Sequence, residues 1–169
     1  MIDTRGALLR VIGGAALCLP LACMAGDWSL RMDGVGPLAL GMRFDEANLL
    51  LGGTLQRELP GSEECYYASI GQHPGLLVMF ADGVLRRVDV MRDGPPTAEG
   101  VAVGDPAKRV LEVYPKAAST PNAYDDRERY LTVRSPNGEL ALRFETLDGR
   151  VGSFYAGRFK EVQYIEGCL

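Results

Sequence analysis

The 169-residue chain has one histidine, His73, in the context Gly71-Gln72-His73-Pro74-Gly75. General-base chemistry needs a partner that orients the imidazole, and none can be named beside it, so a solvated histidine on a loop or hairpin tip is expected. No Gly-x-Ser-x-Gly, HExxH or phosphate-cradling glycine loop occurs. Gly100-Val101-Ala102-Val103-Gly104 is a strand edge entering a turn and does not fit the dinucleotide fingerprint. Asp125, Asp126 and Glu128, with Asn122, have the oxygen donors for calcium. The glycine that an EF-hand loop needs is missing, however, and Arg127 and Arg129 interleave. Glu63 and Glu64 form a second acidic pair beside Cys65. Sugar hydrolysis by two carboxylates would need a geometry that sequence does not supply. No catalytic residue is assigned, and neither a cofactor nor a metal is expected.

The aromatic and sulfur residues carry more information. Tyr66 and Tyr67 are adjacent, so in a strand they point to opposite faces and one of them faces solvent. Tyrosine on an exposed sheet face is a usual anchor for protein or sugar recognition. Tyr66, Tyr67, Tyr124, Tyr130, Tyr155 and Tyr164 are weighed together with Trp28, and of these Trp28, Tyr66, Tyr67, Tyr130 and Tyr155 are the candidate binding residues. Of four cysteines, Cys18 and Cys23 fall in an N-terminal leader, which leaves Cys65 and Cys168. One remaining pair in an exported protein predicts a disulfide between them.

The leader is residues 1–25. Arg5 and Arg10 are its basic region, Val11 to Leu21 is an apolar run too short to span a bilayer, and cleavage is expected after Ala25. A periplasmic or secreted location follows. Leu21-Ala22-Cys23 offers the alternative of a lipid anchor at Cys23 on the outer membrane, although Pro20 stands where such boxes usually have leucine. From Gly26 onward, 16 Lys and Arg face 21 Asp and Glu, a formal charge of −5. Without a basic block, this argues against nucleic acid and against anionic lipid surfaces as partners.

The elements that must position these residues form a pattern stated twice. Leu38-Ala39-Leu40-Gly41 recurs 63 positions later as Val101-Ala102-Val103-Gly104, and each copy leads into a short amphipathic helix. Asp45 and Glu46 suit the first turn of the first helix, and Phe44, Ala47 and Leu51 share a face. Asp105-Pro106 opens the second, whose stripe is Val110, Val113 and Tyr114. Strands are expected at Trp28 to Met32, Cys65 to Ile70, Leu76 to Ala81 and Val84 to Met91. In the second half they are expected at Tyr130 to Arg134, Glu139 to Glu145, Val151 to Ala156 and Val162 to Glu166. Asp82-Gly83, Asn137-Gly138 and Asp148-Gly149 supply hairpin turns. Gln56 to Glu64 and Ser119 to Glu128 are expected loops. The fold class expected is α+β, two tandem helix-plus-antiparallel-sheet repeats at 26–93 and 97–169, divided by Asp93-Gly94-Pro95-Pro96. Whether they share one sheet is left open.

The Leu40-Gly41-Met42 start with its acidic-capped helix resembles small envelope lipoproteins of the BamE/SmpA type. The tandem layout is similar to that of the β-lactamase inhibitory protein family. A duplicated pattern like Gly-x-Leu-Gly-Met, with Cys65-Tyr66-Tyr67, the Asp-Gly hairpins and the ending Tyr164-Ile165-Glu166-Gly167-Cys168, resembles an uncharacterised bacterial secreted protein family with duplicated halves. These resemblances imply a protein-binding platform and name no partner. The expected function is an exported, non-catalytic protein-binding module, an inhibitor or an envelope assembly factor, whose partner is another envelope or secreted protein. A cell-wall or sugar-acting hydrolase and a small-ligand or sugar binder remain the alternatives.

Overall fold

The computed structural model describes residues 28–169. The leader, its cleavage site and Cys23 lie outside the described residues. Three two-residue strands come first, β1 (Leu30–Arg31), β2 (Gly34–Val35) and β3 (Leu38–Ala39), forming a small antiparallel sheet. Helix α1 (Phe44–Leu50) follows, then β4 (Leu55–Arg57), β5 (Cys65–Ile70), β6 (His73–Ala81) and β7 (Val84–Val90). The second half has α2 (Ala107–Val113), β8 (Ala118–Pro121), β9 (Arg129–Arg134), β10 (Leu140–Leu147), β11 (Arg150–Arg158) and a short α3 (Phe159–Val162).

Strands β4 to β11 make one antiparallel sheet of eight, in the order β4-β5-β6-β7-β11-β10-β9-β8. Each half contributes four neighbouring strands, and β7 meets β11 at the seam with Val88 opposite Ala156 and Val90 opposite Phe154. This corrects the α+β expectation. Strand occupies 43% of the described residues and helix 13%, so the fold is mostly β rather than a pair of helix-plus-sheet repeats. The physical reason is length. Helices α1 and α2 have seven residues each and fully bury a single side chain apiece, Ala47 and Val110, so they plug the core without forming a layer. Burial by pairing at the β7–β11 seam then fuses the halves around one core.

That core lies on one face of the sheet. Phe80, Phe144 and Phe154 are fully buried there with Leu76, Val78, Leu85 and Val88. Leu30, Val35 and Leu38 of the small sheet close it at one end, where the Leu30 amide donates to the Pro96 carbonyl. Each helix is entered through the same backbone pairing. The Gly41 amide donates to Leu85 and the Leu85 amide to Met42, and Gly104 and Val151 repeat this with Asp105.

Three further expectations change. Gln56 to Arg57 and Ala118 to Pro121, read as loop in whole or in part, belong to the edge strands β4 and β8. Val162 to Glu166, read as a strand, instead finishes α3 and runs on as a turn-rich tail. His73 lies beside the two-residue turn of the β5–β6 hairpin, as expected, but its side chain is half-buried rather than solvated. It opens β6, and its ring stacks on Trp28 with centroids 3.5 Å apart, a contact whose burial lowers its pKa.

Cys65 and Cys168 are joined by a disulfide across a sequence separation of 103. Closing so long a loop restricts the unfolded chain most. Reduction is therefore expected to lower unfolding free energy by roughly 4–5 kcal/mol on the chain-entropy estimate. Denaturant titrations of the oxidised and reduced chain check this, and coincident midpoints would contradict it.

Candidate functional site

The second face of the sheet is polar and aromatic. Strand register sets its side chains in rows. Tyr67, Met79, Arg87, Gly157, Ala141 and Arg134 lie side by side across six strands. The next row runs Ser69, Leu77, Asp89, Tyr155, Arg143 and Thr132, and beyond it Ser153, Glu145 and Tyr130 are neighbours.

Arg87 and Asp89 are two residues apart on β7, so they share this face. Both are buried. The guanidinium grips the carboxylate with two contacts of 2.7 Å, Nε to Oδ1 and Nη2 to Oδ2. Nη2 also donates to the Tyr67 hydroxyl at 2.8 Å, which in turn donates to Asp89 Oδ2 at 3.0 Å. Nη1 donates to the carbonyls of Glu161 and Tyr164, both at 2.9 Å. The Arg87 guanidinium lies over the Tyr155 ring, 4.0 Å from its centroid, and the Tyr155 hydroxyl donates to Glu145 Oε1 at 2.8 Å.

Electrostatics follow from this packing. Burial, then the charge of Asp89, pushes the Tyr67 phenol well above its ordinary range. Burial, then Glu145, does the same to Tyr155. Burial alone would lower the Arg87 pKa, but the hydrogen bond and charge of Asp89 outweigh it and hold the cation.

The tail from Phe159 is clamped onto this face by arginines. Arg134 covers the Phe159 ring at 3.8 Å, and Arg143 donates to Gln163 Oε1 at 2.6 Å. Gly167, at φ +63°, lies flat on Tyr67, where a Cβ would come within 2.7 Å of the phenol oxygen. Cys168 then reaches Cys65. From the other side the β8–β9 loop leans in, and the Tyr124 hydroxyl donates to Glu166 Oε1 at 2.7 Å. That bond raises the Tyr124 pKa to about 12.

Two clefts flank the tail. One of about 300 Å³ has Glu58, Leu59 and Pro60 on one side, Glu166, Cys168 and Leu169 on the other, and Tyr67 with Leu77 beneath. The other, about 500 Å³, lies between Ala123-Tyr124 and residues 163–167, and it shares Glu166 and Leu169. The sheet's outer edges offer less. On β4 the Leu55 amide is taken by Asn48 Oδ1, and on β8 Pro121 has no donor while Arg129 reaches the Ser119 hydroxyl and carbonyl. Edges blunted in this way resist added strands.

Of the five expected binding residues, Tyr67, Tyr130 and Tyr155 gather on this face, where Tyr130 and Tyr155 are buried and Tyr67 floors a cleft. Tyr66 is on the core face between Phe44 and Phe80 with Arg57 over its ring, and Trp28 packs on His73. Sequence reasoning passed over Arg87, Asp89, Leu59 and Leu169 as site residues, whereas Tyr124 was among the tyrosines it weighed. The one available signal was the charged pair Arg87 and Asp89 in a strand of valines. The acidic loop does not gather a cation site. Arg127 takes Asp125 at 2.9 and 2.6 Å and holds its pKa down to about 2, and Glu128 is engaged by Thr146 and the Asp148 amide. Among the described residues no group of three or more His, Cys, Asp or Glu is placed to hold a metal, and no helix is long and apolar enough to cross a membrane. Comparison with protein families, curated proteins and solved structures finds no match to this chain.

Removing one partner of a buried pair leaves a charge without compensation. Asp89→Ala is expected to destabilise the protein by about 3–5 kcal/mol, measured by denaturant unfolding without reductant; a loss under about 1 kcal/mol would mean that water replaces the carboxylate. The tyrosines set an alkaline limit. Tyr67, Tyr155 and Tyr124 keep their protons when folded, so above a pH of about 10 the unfolded chain binds fewer protons than the native one. Stability is therefore full below that pH and falls as pH rises through the native values. Glu166→Gln is expected to bring Tyr124 down from about 12 toward the ordinary tyrosine value, read from tyrosine ring carbon shifts.

Proposed function

We propose that this chain is an exported, non-catalytic protein-binding module and that the tail-flanked face of its large sheet is the recognition surface. One observation carries the reading. Leu59, Tyr124, Ile165 and Leu169, four of the nine exposed large apolar side chains among the described residues and exposed at 84, 70, 47 and 82%, line two adjoining clefts. Apolar side chains kept in water around a cleft suit an interaction site. Its supports are a rigid Tyr-Arg-Asp lattice and a disulfide, so little order has to be gained on binding. Export is supported by the leader-like residues 1–25 and by a disulfide that oxidising compartments favour.

The test is paired capture from envelope extract of the host, using the oxidised chain from Gly26 and a Leu59→Ser, Leu169→Ser variant. Both leucines are more than 80% exposed, so the variant is expected to keep its fold and melting temperature. A stoichiometric partner held by the first and lost by the second is the expected result. A partner retained equally by both places recognition elsewhere, and the absence of any partner removes the reading.

A further inference from the structure

We propose that the two clefts beside Glu166 take an extended cationic segment of the partner protein, in which large apolar side chains stand next to Lys or Arg. This rests on the binding reading above and adds the partner's chemistry to it. The smaller cleft has an apolar floor and walls, Leu77, Leu59, Pro60 and Leu169, and its charged lining consists of two carboxylates, Glu58 and Glu166. The larger cleft adds Tyr124 and Ile165 and shares Glu166. Neither Lys nor Arg lines either cleft.

The two carboxylates are held differently. Glu166 is fixed between the clefts by the Tyr124 hydroxyl. The Glu58 carboxylate has no hydrogen-bond or ion-pair partner among the described residues, although its backbone amide is tied to the Tyr67 carbonyl at 2.8 Å. A wholly apolar partner would desolvate both carboxylates with nothing in return. An acidic partner, a nucleic acid or an anionic lipid surface would be repelled. A cation beside an apolar side chain satisfies both parts of the lining. Because both sheet edges are blunted, the segment lies across the face and is read through side-chain pockets instead of joining the sheet as a ninth strand.

The test is selection of random displayed peptides on the oxidised chain from Gly26, with counter-selection on a Leu59→Ser, Leu169→Ser variant, which removes the apolar contacts without adding charge. Enrichment of sequences that place Lys or Arg beside large apolar residues is expected. The affinity of the selected peptides should then fall about tenfold in a Glu58→Gln, Glu166→Gln variant, the scale of one lost charged contact. Circular dichroism and non-reducing melts confirm that each variant is folded. Neutral or acidic winners, or affinities unmoved by the glutamine changes, overturn the cationic assignment and leave the face as a binding surface. Enrichment that ignores the leucine changes, or no enrichment, overturns both.

Discussion

A guanidinium buried on the face of a sheet must have its donors occupied, and Arg87 meets that demand from three directions. Asp89 comes from its own strand, Tyr67 from β5, and the Glu161 and Tyr164 carbonyls from the tail. Burying the pair carries a desolvation cost that only dense hydrogen bonding offsets. The tail therefore lies where Arg87 needs acceptors, and Tyr67 is held between Asp89 and Gly167. The disulfide from Cys65 closes over the same contacts, two residues from Tyr67 along β5. Stability and surface shape are coupled here, because the segment that satisfies the buried charge also forms the wall between the clefts.

The sheet is accordingly two-sided in chemistry as well as in geometry. One face buries phenylalanines and valines under short helices and a small sheet, and its energetics are those of apolar burial. The other buries charge and phenol, and it is covered by a narrow tail that leaves Leu59, Tyr124, Ile165 and Leu169 in water. With blunted edges at β4 and β8, the recognition proposed above would be face-on. An extended segment with cations among its apolar residues suits that lining.

Much of the local structure could be read from residue patterns. Asp82-Gly83, Asn137-Gly138 and Asp148-Gly149 each adopt positive φ at glycine where turns were expected, with strands close to the expected bounds on either side. Those signals are local, set by backbone sterics and by alternation along a single strand. Val162 to Glu166 misled for an equally physical reason. Its alternation suits a strand, but Arg87 and Arg143 bind the tail's carbonyls and the Gln163 amide, and they draw the chain across the sheet instead of along it. The adjacent tyrosines did point to opposite faces. Which of them met the core and which met the tail depended on partners far away in sequence.

Turns, most strands, the two expected helices and the Cys65–Cys168 pair were legible in residue types, because each rests on near neighbours or, for the cysteines, on setting aside the two in the leader. The joining of the halves at β7 and β11 into one mostly β sheet, the stacking of His73 on Trp28 and the placing of Leu59 and Leu169 around one cleft emerge from the fold alone. Those outcomes come from burial and hydrogen-bond satisfaction between residues many positions apart, and no local pattern encodes which distant group will supply a missing partner.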